Sequence, residues 1–524
     1  METQQSNPRL ALLLAAAMFV FVIDTSLMNV SISAVVDDLD TTVSGVQSAI
    51  AIEALVSAAF ILIGSKIGDL FGRKRAYMAG LLLYVTGALS MVFAQSLAPI
   101  IVFWAVVGGL GASLYMPAMQ SLIHGNFEGT AQAKAYALVG ASAAIAAAIG
   151  PLLGGFLTTY LSWRVGFALE AVVIVMVLLG SRRLLIDVPF TGDRGVDWVG
   201  SALSVIGMGG LVLGILAWQE GGESVGLLLA LGLASMGLLV YWLLRRVREH
   251  RPALLDPHLF ESKLFSFGIS QGILQQVALG GMLIALPIYL QLDLGYNAMQ
   301  AGLSLAPLSL TMFAVALIAG KRSGRRRPAG IIRAGFALLL VALVALIPLV
   351  PRVDTGWYLV IPLILAGAGL GLLVSQLNNY TLSPVSEERI GEAAGINSAT
   401  GSFGLSLGLA FAGAVMLAAL SIAFTDKAES SPVLAPAEQQ RVADALEDDA
   451  QVMSDAQLHE LLAGQPADVR AEIVQINEDA RPLALQIALA VPLLAALIGL
   501  LSSFRMMRLP DPAPSAAADQ MVAA

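Results

Sequence analysis

LALLLAAAMFVFVIDTSLMNV, residues 10–30, is an unbroken apolar run of 21 residues with one carboxylate, Asp24, set inside it. At ~1.5 Å per residue, a helix of this length crosses the ~30 Å hydrocarbon layer of a bilayer. The run is longer than the apolar core of a cleavable signal, so it reads as a first membrane helix. Thirteen further runs follow, at 46–67, 76–94, 97–122, 135–161, 165–180, 199–218, 225–244, 265–290, 298–320, 330–350, 357–378, 393–424 and 483–503. Lipid offers no partner to a bare backbone group, so such runs must close their hydrogen bonds as helices. A barrel would alternate apolar and polar residues instead. The expected fold class is all-α integral membrane, with about fourteen transmembrane helices.

Composition agrees. Of 524 residues, 57% are hydrophobic and only 13% charged, and mean hydropathy is +0.80; soluble proteins carry about 25% charged residues. The chain has no cysteine and four histidines, which argues against disulfides and metal sites. No phosphate loop of the form G-x-x-x-x-G-K-[ST] occurs, so ATP hydrolysis is not expected. We expect no enzyme activity, catalytic residue, cofactor or nucleic-acid partner.

Basic residues fix the direction of the chain. With the N-terminus in the cytosol, 23 of the 29 Lys and Arg fall on cytosolic loops or helix ends, including Arg73, Lys74, Arg75, Arg182, Arg183 and the run from Lys321 to Arg327. Only Arg164 and Arg352 fall in short external loops. This places the chain in an inner (cytoplasmic) membrane with both termini cytosolic. The expected domains are a six-helix bundle at 1–186, two inserted helices at 187–257, and a second six-helix bundle at 258–524. The last includes an external loop, 425–481, with 13 acidic against 4 basic residues. Within that loop, 437–453 and 454–463 have helical composition, which reads as a capping hairpin or as a solvated loop.

Five motifs carry a family resemblance. The loop after the second run reads Ser65-Lys66-Ile67-Gly68-Asp69-Leu70-Phe71-Gly72-Arg73-Lys74-Arg75. It resembles the G-x-x-x-D-x-x-G-R-[KR] signature of the major facilitator superfamily, with Ser65 in place of the first Gly. Glycines there allow close helix approach, Asp69 is placed to cap a helix start, and the arginines hold the cytosolic boundary. The first run holds Asp24-Thr25-Ser26-Leu27-Met28-Asn29-Val30-Ser31, which is similar to the D-x-T-x-x-N-V-A pattern of the fourteen-helix drug:proton antiporters in that superfamily. Gly150-Pro151-Leu152-Leu153-Gly154-Gly155 is similar to their G-P-x-x-G-G motif, where Pro removes a backbone bond and glycine permits bending. Leu286-Pro287-Ile288-Tyr289-Leu290-Gln291, with Ala301, Gly302 and Pro307, follows their L-P-x-Y-L-Q run, and Gly391-Glu392-Ala393-Ala394-Gly395 with Asn397 resembles their thirteenth helix. Two departures stand out. Ala105 occupies the position of the usual Arg in the fourth run, and Glu170 that of an Asn in the sixth.

The resemblance implies two bundles rocking about a central site by alternating access, and multidrug efflux, hence antibiotic resistance, by an antiporter. The residues themselves supply candidates. A carboxylate at membrane depth costs a few kcal/mol and is rare without a role. Asp24, Glu53 and Glu170 all fall in the first half. They read as proton-coupling or substrate-binding acids; the plain alternatives are a hydrogen-bonded anchor of Asp24 to Thr25, Ser26 or Asn29, and a pair between Glu170 and Arg164. Asn29, Gln271, Gln275, Gln376, Asn379 and Asn397 are expected to line the substrate cavity, or to tie helices together. Met282, Phe313, Phe403 and Phe411 would give that cavity an apolar surround fit for an amphiphile. Gly68, Asp69, Gly72, Arg73, Gly150, Pro151, Gly154 and Gly155 are the candidate conformational residues. The expected partners are a small amphiphilic or cationic substrate, protons and the lipid bilayer, with the protein acting as a monomer. The alternative is weakly coupled or uncoupled export of a lipid or endogenous metabolite, since the Arg is missing and the second half is poor in acids. A membrane scaffold whose acidic loop binds a partner is the third reading.

Overall fold

The structure is a computed structural model that describes residues 8–127, 129–186, 195, 197–219, 222, 224–321, 327–353, 355–385, 389–431 and 466–510. Among them, fourteen helices are long and apolar enough to cross a membrane. They are α1 (Pro8–Val30), α2 (Val43–Phe71), α3 (Arg73–Phe93), α4 (Leu97–Ile123), α5 (Lys134–Tyr160), α6 (Trp163–Leu184) and α7 (Trp198–Gln219), followed by α8 (Val225–Arg248), α9 (Lys263–Asp293), α10 (Ala298–Gly320), α11 (Pro328–Leu346), α12 (Gly356–Leu382), α13 (Glu392–Ser430) and α14 (Ala467–Met506). The protein is thus a multi-pass membrane protein, all-α among the described residues.

Several helices, α2, α8 and α14 among them, run past their apolar segments, whereas α11 ends four residues short of its own. The largest difference is outside the membrane. α13 takes in the first residues of the expected 425–481 loop and α14 its last fifteen, and the two extensions are joined by Lys427–Asp479 (3.1 Å) and Ser431–Glu472 (2.5 Å). The hairpin expected at 437–463 lies outside the described residues.

α1 to α6 pack as one bundle, with α1 against α5 and α6, and α4 between α2 and α3. α9 to α14 form the other, with α9 against α13 and α14, and α12 between α10 and α11. α7 and α8 form a hairpin, and α7 lies along the seam where α2 meets α13. The second contact between bundles is α5 against α10.

Asp197 anchors the hairpin. Its buried carboxylate accepts from the backbone of Gly200 at the start of α7, from the Trp242 indole of α8 (both 2.9 Å) and from the Leu254 backbone (3.2 Å). The linker then clasps α13: Asp256 pairs with Arg389, and its backbone donates to Glu392 at 2.6 Å. Burial opposes ionisation of Asp256, but hydrogen bonds from His258 and the Arg389 charge outweigh it and hold the carboxyl below its ordinary value.

The bundles are closed against each other at the end that the basic residues assign to the outside. There Ser33, in the short helix Ile32–Leu39, donates to Gln291 of α9 (2.5 Å), and Thr159 of α5 accepts from the Met299 backbone of α10 (2.9 Å). The same short helix is held to the first bundle by Asp38, which pairs with Arg164 and accepts from the Trp163 indole at 3.1 Å. Arg164 therefore does not pair with Glu170.

Candidate transport site

Asp24 lies about three-quarters of the way along α1, where burial leaves a carboxylate no water, so its partners must come from neighbouring helices. They do. Tyr84 of α3 donates its hydroxyl to Asp24 Oδ2 at 2.6 Å. Trp104 of α4 donates its indole N–H to both oxygens, at 3.1 and 3.2 Å. The alternative, a local anchor to Ser26 or Asn29, is not made: these turn back to the carbonyls of Val22 and Thr25 instead. Glu170 of α6 is buried beside Asp24, and the two carboxyl groups interact directly. Neither Glu170 oxygen has a hydrogen-bond partner. Glu53 of α2 lies within electrostatic reach of Asp24 and meets the Ser57 hydroxyl at 3.4 Å. The three acids expected from the sequence therefore form one cluster inside the first bundle.

The donors are what sequence reasoning misses. Trp104 stands next to Ala105, and both lie in a π-helical stretch of α4, Ile100–Gly108. Such stretches shift side-chain register and recur at functional sites. The neutral indole bonds Asp24, while Ala105, where the resemblance would put a guanidinium, is fully buried. Phe167 packs edge-on against Trp104 (6.3 Å between centroids) and fixes its ring plane. The departure at Ala105 was the one available signal.

The polar residues of the second half stay apart from this cluster. Gln271 is fully buried and bonds Ser502 of α14, so it ties two helices of its own bundle. Gln376, equally buried, bonds only the neighbouring Ser375 (3.4 Å), and its carbonyl oxygen is unpartnered. Gln275 makes a long contact with Gln276 (3.5 Å), Asn397 bonds Asn378 (2.7 Å), and Asn379 is half-buried. Asn29 is buried with its carbonyl oxygen unpartnered. Of the apolar surround, Met282 is buried in the core, while Phe411 is exposed and its ring rests against Trp218 of α7 (6.4 Å).

The glycine motifs sit at the contacts between helices. A Cβ at Gly150 would meet Ser26 of α1 at 2.5 Å, and one at Gly154 would meet Val30 at 2.8 Å. On the opposite face of α5, a Cβ at Gly155 would lie 2.4 Å from the Ala298 carbonyl of α10, and one at Gly302 only 2.2 Å from the Pro151 carbonyl. The G-P-x-x-G-G run is thus where the two bundles touch backbone to backbone. In the other loop, Gly72 adopts φ 101°, a conformation open to glycine, and joins α2 to α3 with no intervening residue. Asp69 does not cap α3: it lies in the last turn of α2, where it meets Arg73 at 3.4 Å. At Gly68 a Cβ would make only ordinary contact with Ala76 (3.6 Å).

Residues 14–409 match the family model of the Major Facilitator Superfamily. The chain belongs to the major facilitator superfamily. Its relatives include the puromycin resistance protein pur8 of Streptomyces alboniger, 30% identical over 82% of this chain and 86% of that protein. Another is the multidrug resistance protein Stp of Mycobacterium tuberculosis, 28% identical over 77% of this chain and 75% of that protein. These relatives agree with the drug:proton antiporter family that the motifs resemble. Among solved structures, a bacterial homolog of the human lysosomal transporter Spinster aligns over 98% of this chain and 100% of its own, with a TM-score of 0.64 at 13% identity. A D-xylose-proton symporter aligns over 77% and 89%, with a TM-score of 0.55 at 12% identity. Both share the fold of this superfamily transporter.

Proposed function

We propose that this transporter exports amphiphilic or cationic drugs in exchange for protons, by alternating access, as a monomer in an inner membrane with cytosolic termini. The observation that carries the reading is the carboxyl cluster. Asp24, with two donors from α3 and α4, lies against Glu170, whose oxygens accept nothing. Three acids at membrane depth, with no basic side chain bonded to any of them among the described residues, give a site that can exchange a proton for a cation. The resistance proteins among its relatives point to the substrate class. The seam at Gly155 and Gly302 offers the backbone contact about which bundles can rock.

The test is a proton-gradient assay in everted vesicles with tetraphenylphosphonium as the probe. The wild type should dissipate an imposed pH gradient on addition of the probe, and Asp24→Asn should reduce that response at least tenfold. Ala105 favours a second reading, weakly coupled or uncoupled export of a lipid or metabolite. Probe movement with no change in the gradient would make that reading the correct one.

A further inference from the structure

We propose that the inserted hairpin of α7 and α8 is a diagonal brace: its outer end is fixed to the first bundle and its cytosolic end to the second, so the bundles can rock but cannot slide past each other. The inference rests on the alternating-access reading above and gives the two inserted helices a task which that reading does not assign.

The outer anchor is an amide pair. Gln219, the last residue of α7, donates to Gln47 Oε1 in the first turns of α2 at 3.1 Å. Both side chains are buried, and the Gln47 amide nitrogen and Gln219 amide oxygen have no partner. Two apolar side chains would avoid that cost, so packing alone does not account for the pair. On the other side stands α13, which presents Gly413 at this level. A Cβ there would lie 3.2 Å from Gln47 Oε1 and from Gln219 Nε2. With no side chain to bond the amides, α13 can draw away while α7 stays with α2.

The cytosolic anchor lies at the opposite end of the hairpin. Asp197 joins the start of α7 to Trp242 of α8 and to the Leu254 backbone. Two residues further on, Asp256 pairs with Arg389, and its backbone meets Glu392 at the start of α13. Between the anchors the hairpin is zipped. A Cβ at Gly210 would lie 2.8 Å from Gly232 Cα, and one at Gly214 3.1 Å from the Leu229 nitrogen, so α7 and α8 touch backbone to backbone and move as one rod.

Geometry assigns the task. The 22 residues of α7 set the two anchors ~33 Å apart along the membrane normal. When two bodies tilt by equal and opposite angles about a central axis, their outer ends approach as their inner ends part. A tie between two outer points, such as Ser33–Gln291, feels the whole change: at ~15 Å from the midplane, a tilt of roughly 10° moves each point by about 2.6 Å. A tie from the outer end of one body to the inner end of the other feels none of it to first order, because its two ends shift the same way by the same amount. Sliding along the membrane normal is different, since it stretches or shortens such a tie almost ångström for ångström.

The chain has no cysteine, so engineered pairs can be bridged one at a time with a short bis-methanethiosulfonate linker. Transport of tetraphenylphosphonium is read in proteoliposomes before linking, after it, and after dithiothreitol cuts the link. With Gln47→Cys linked to Gln219→Cys, transport should stay within twofold of wild type, because the outer anchor never opens. Trp218 and Phe411 touch at the same level, 6.4 Å between centroids. Linking Trp218→Cys to Phe411→Cys holds α7 to α13 there, so transport should fall at least tenfold and return on reduction. A block by the first link would overturn the brace, since α7 would then have to leave α2. Undiminished transport with the second link would overturn it as well, by showing that α7 moves with α13. Linking Ser33→Cys to Gln291→Cys tests the reading beneath: transport that continues with the outer end bolted shut would sink alternating access itself, and the brace with it.

Discussion

Asp24 shows how one residue type in an improbable place can be read from sequence, while its partners cannot. An acid inside an apolar run stands out because its solvation cost demands a reason. Its donors do not stand out, since Trp and Tyr are ordinary inside a helix bundle, and the π stretch that carries Trp104 has no sequence signature. Replacing Trp104 by Phe keeps the ring against Phe167 and removes one charge-assisted hydrogen bond, worth about 1.5–3 kcal/mol. We expect tetraphenylphosphonium export to slow at least tenfold while purified Trp104→Phe melts within a few degrees of wild type. Glu170→Gln should abolish gradient-driven export yet leave the fold intact, because a neutral side chain is the easier one to bury beside Asp24; circular dichroism alongside vesicle transport checks both halves.

At the level of the element, the fourteen helices were legible because hydrophobic length is a strong signal, whereas their ends were not. α14 begins 16 residues before its apolar run, in a stretch whose charged residues read as loop. The glycine motif of α5 was legible as a place of close approach, but which helix it approached was not; that took Gly302 of α10, whose Cβ position is filled by the Pro151 carbonyl. Gly302→Ala must push α5 and α10 apart. We expect reduced transport, by tenfold or more, with protein still inserted at wild-type levels on an immunoblot. The linker gives a pH prediction with a definite sign. Asp256 has a lowered folded value, so its contribution is fully present above the ordinary carboxylate range near 4 and is lost as pH falls through the lower folded value. Asp256→Asn should therefore increase protease cutting of the linker at pH 7, and the difference from wild type should shrink below about pH 4.

At the level of the whole molecule, the run count was legible as fourteen spans. The seam remained out of reach, because contacts such as Ser33–Gln291 join residues 258 positions apart with no local pattern to announce them. That contact closes the outer end, so Gln291→Ala should favour opening. The chain has no cysteine, so a single Thr25→Cys provides a clean reporter. Maleimide added from outside should label it several times faster in the Gln291→Ala background than alone.

α13 carries a mechanical consequence. Its 39 residues make a rod of about 58 Å, nearly twice the ~30 Å hydrocarbon layer. Its last six residues, 425–430, continue past the apolar run and are braced by the first turns of α14. A lever magnifies small rotations at its tip. With an overhang of roughly 9 Å, each 10° or so of tilt in the second bundle would sweep the tip by about 1.6 Å. A pair of labels on that mast and on the short helix Ile32–Leu39 would read the stroke of the machine from outside the cell.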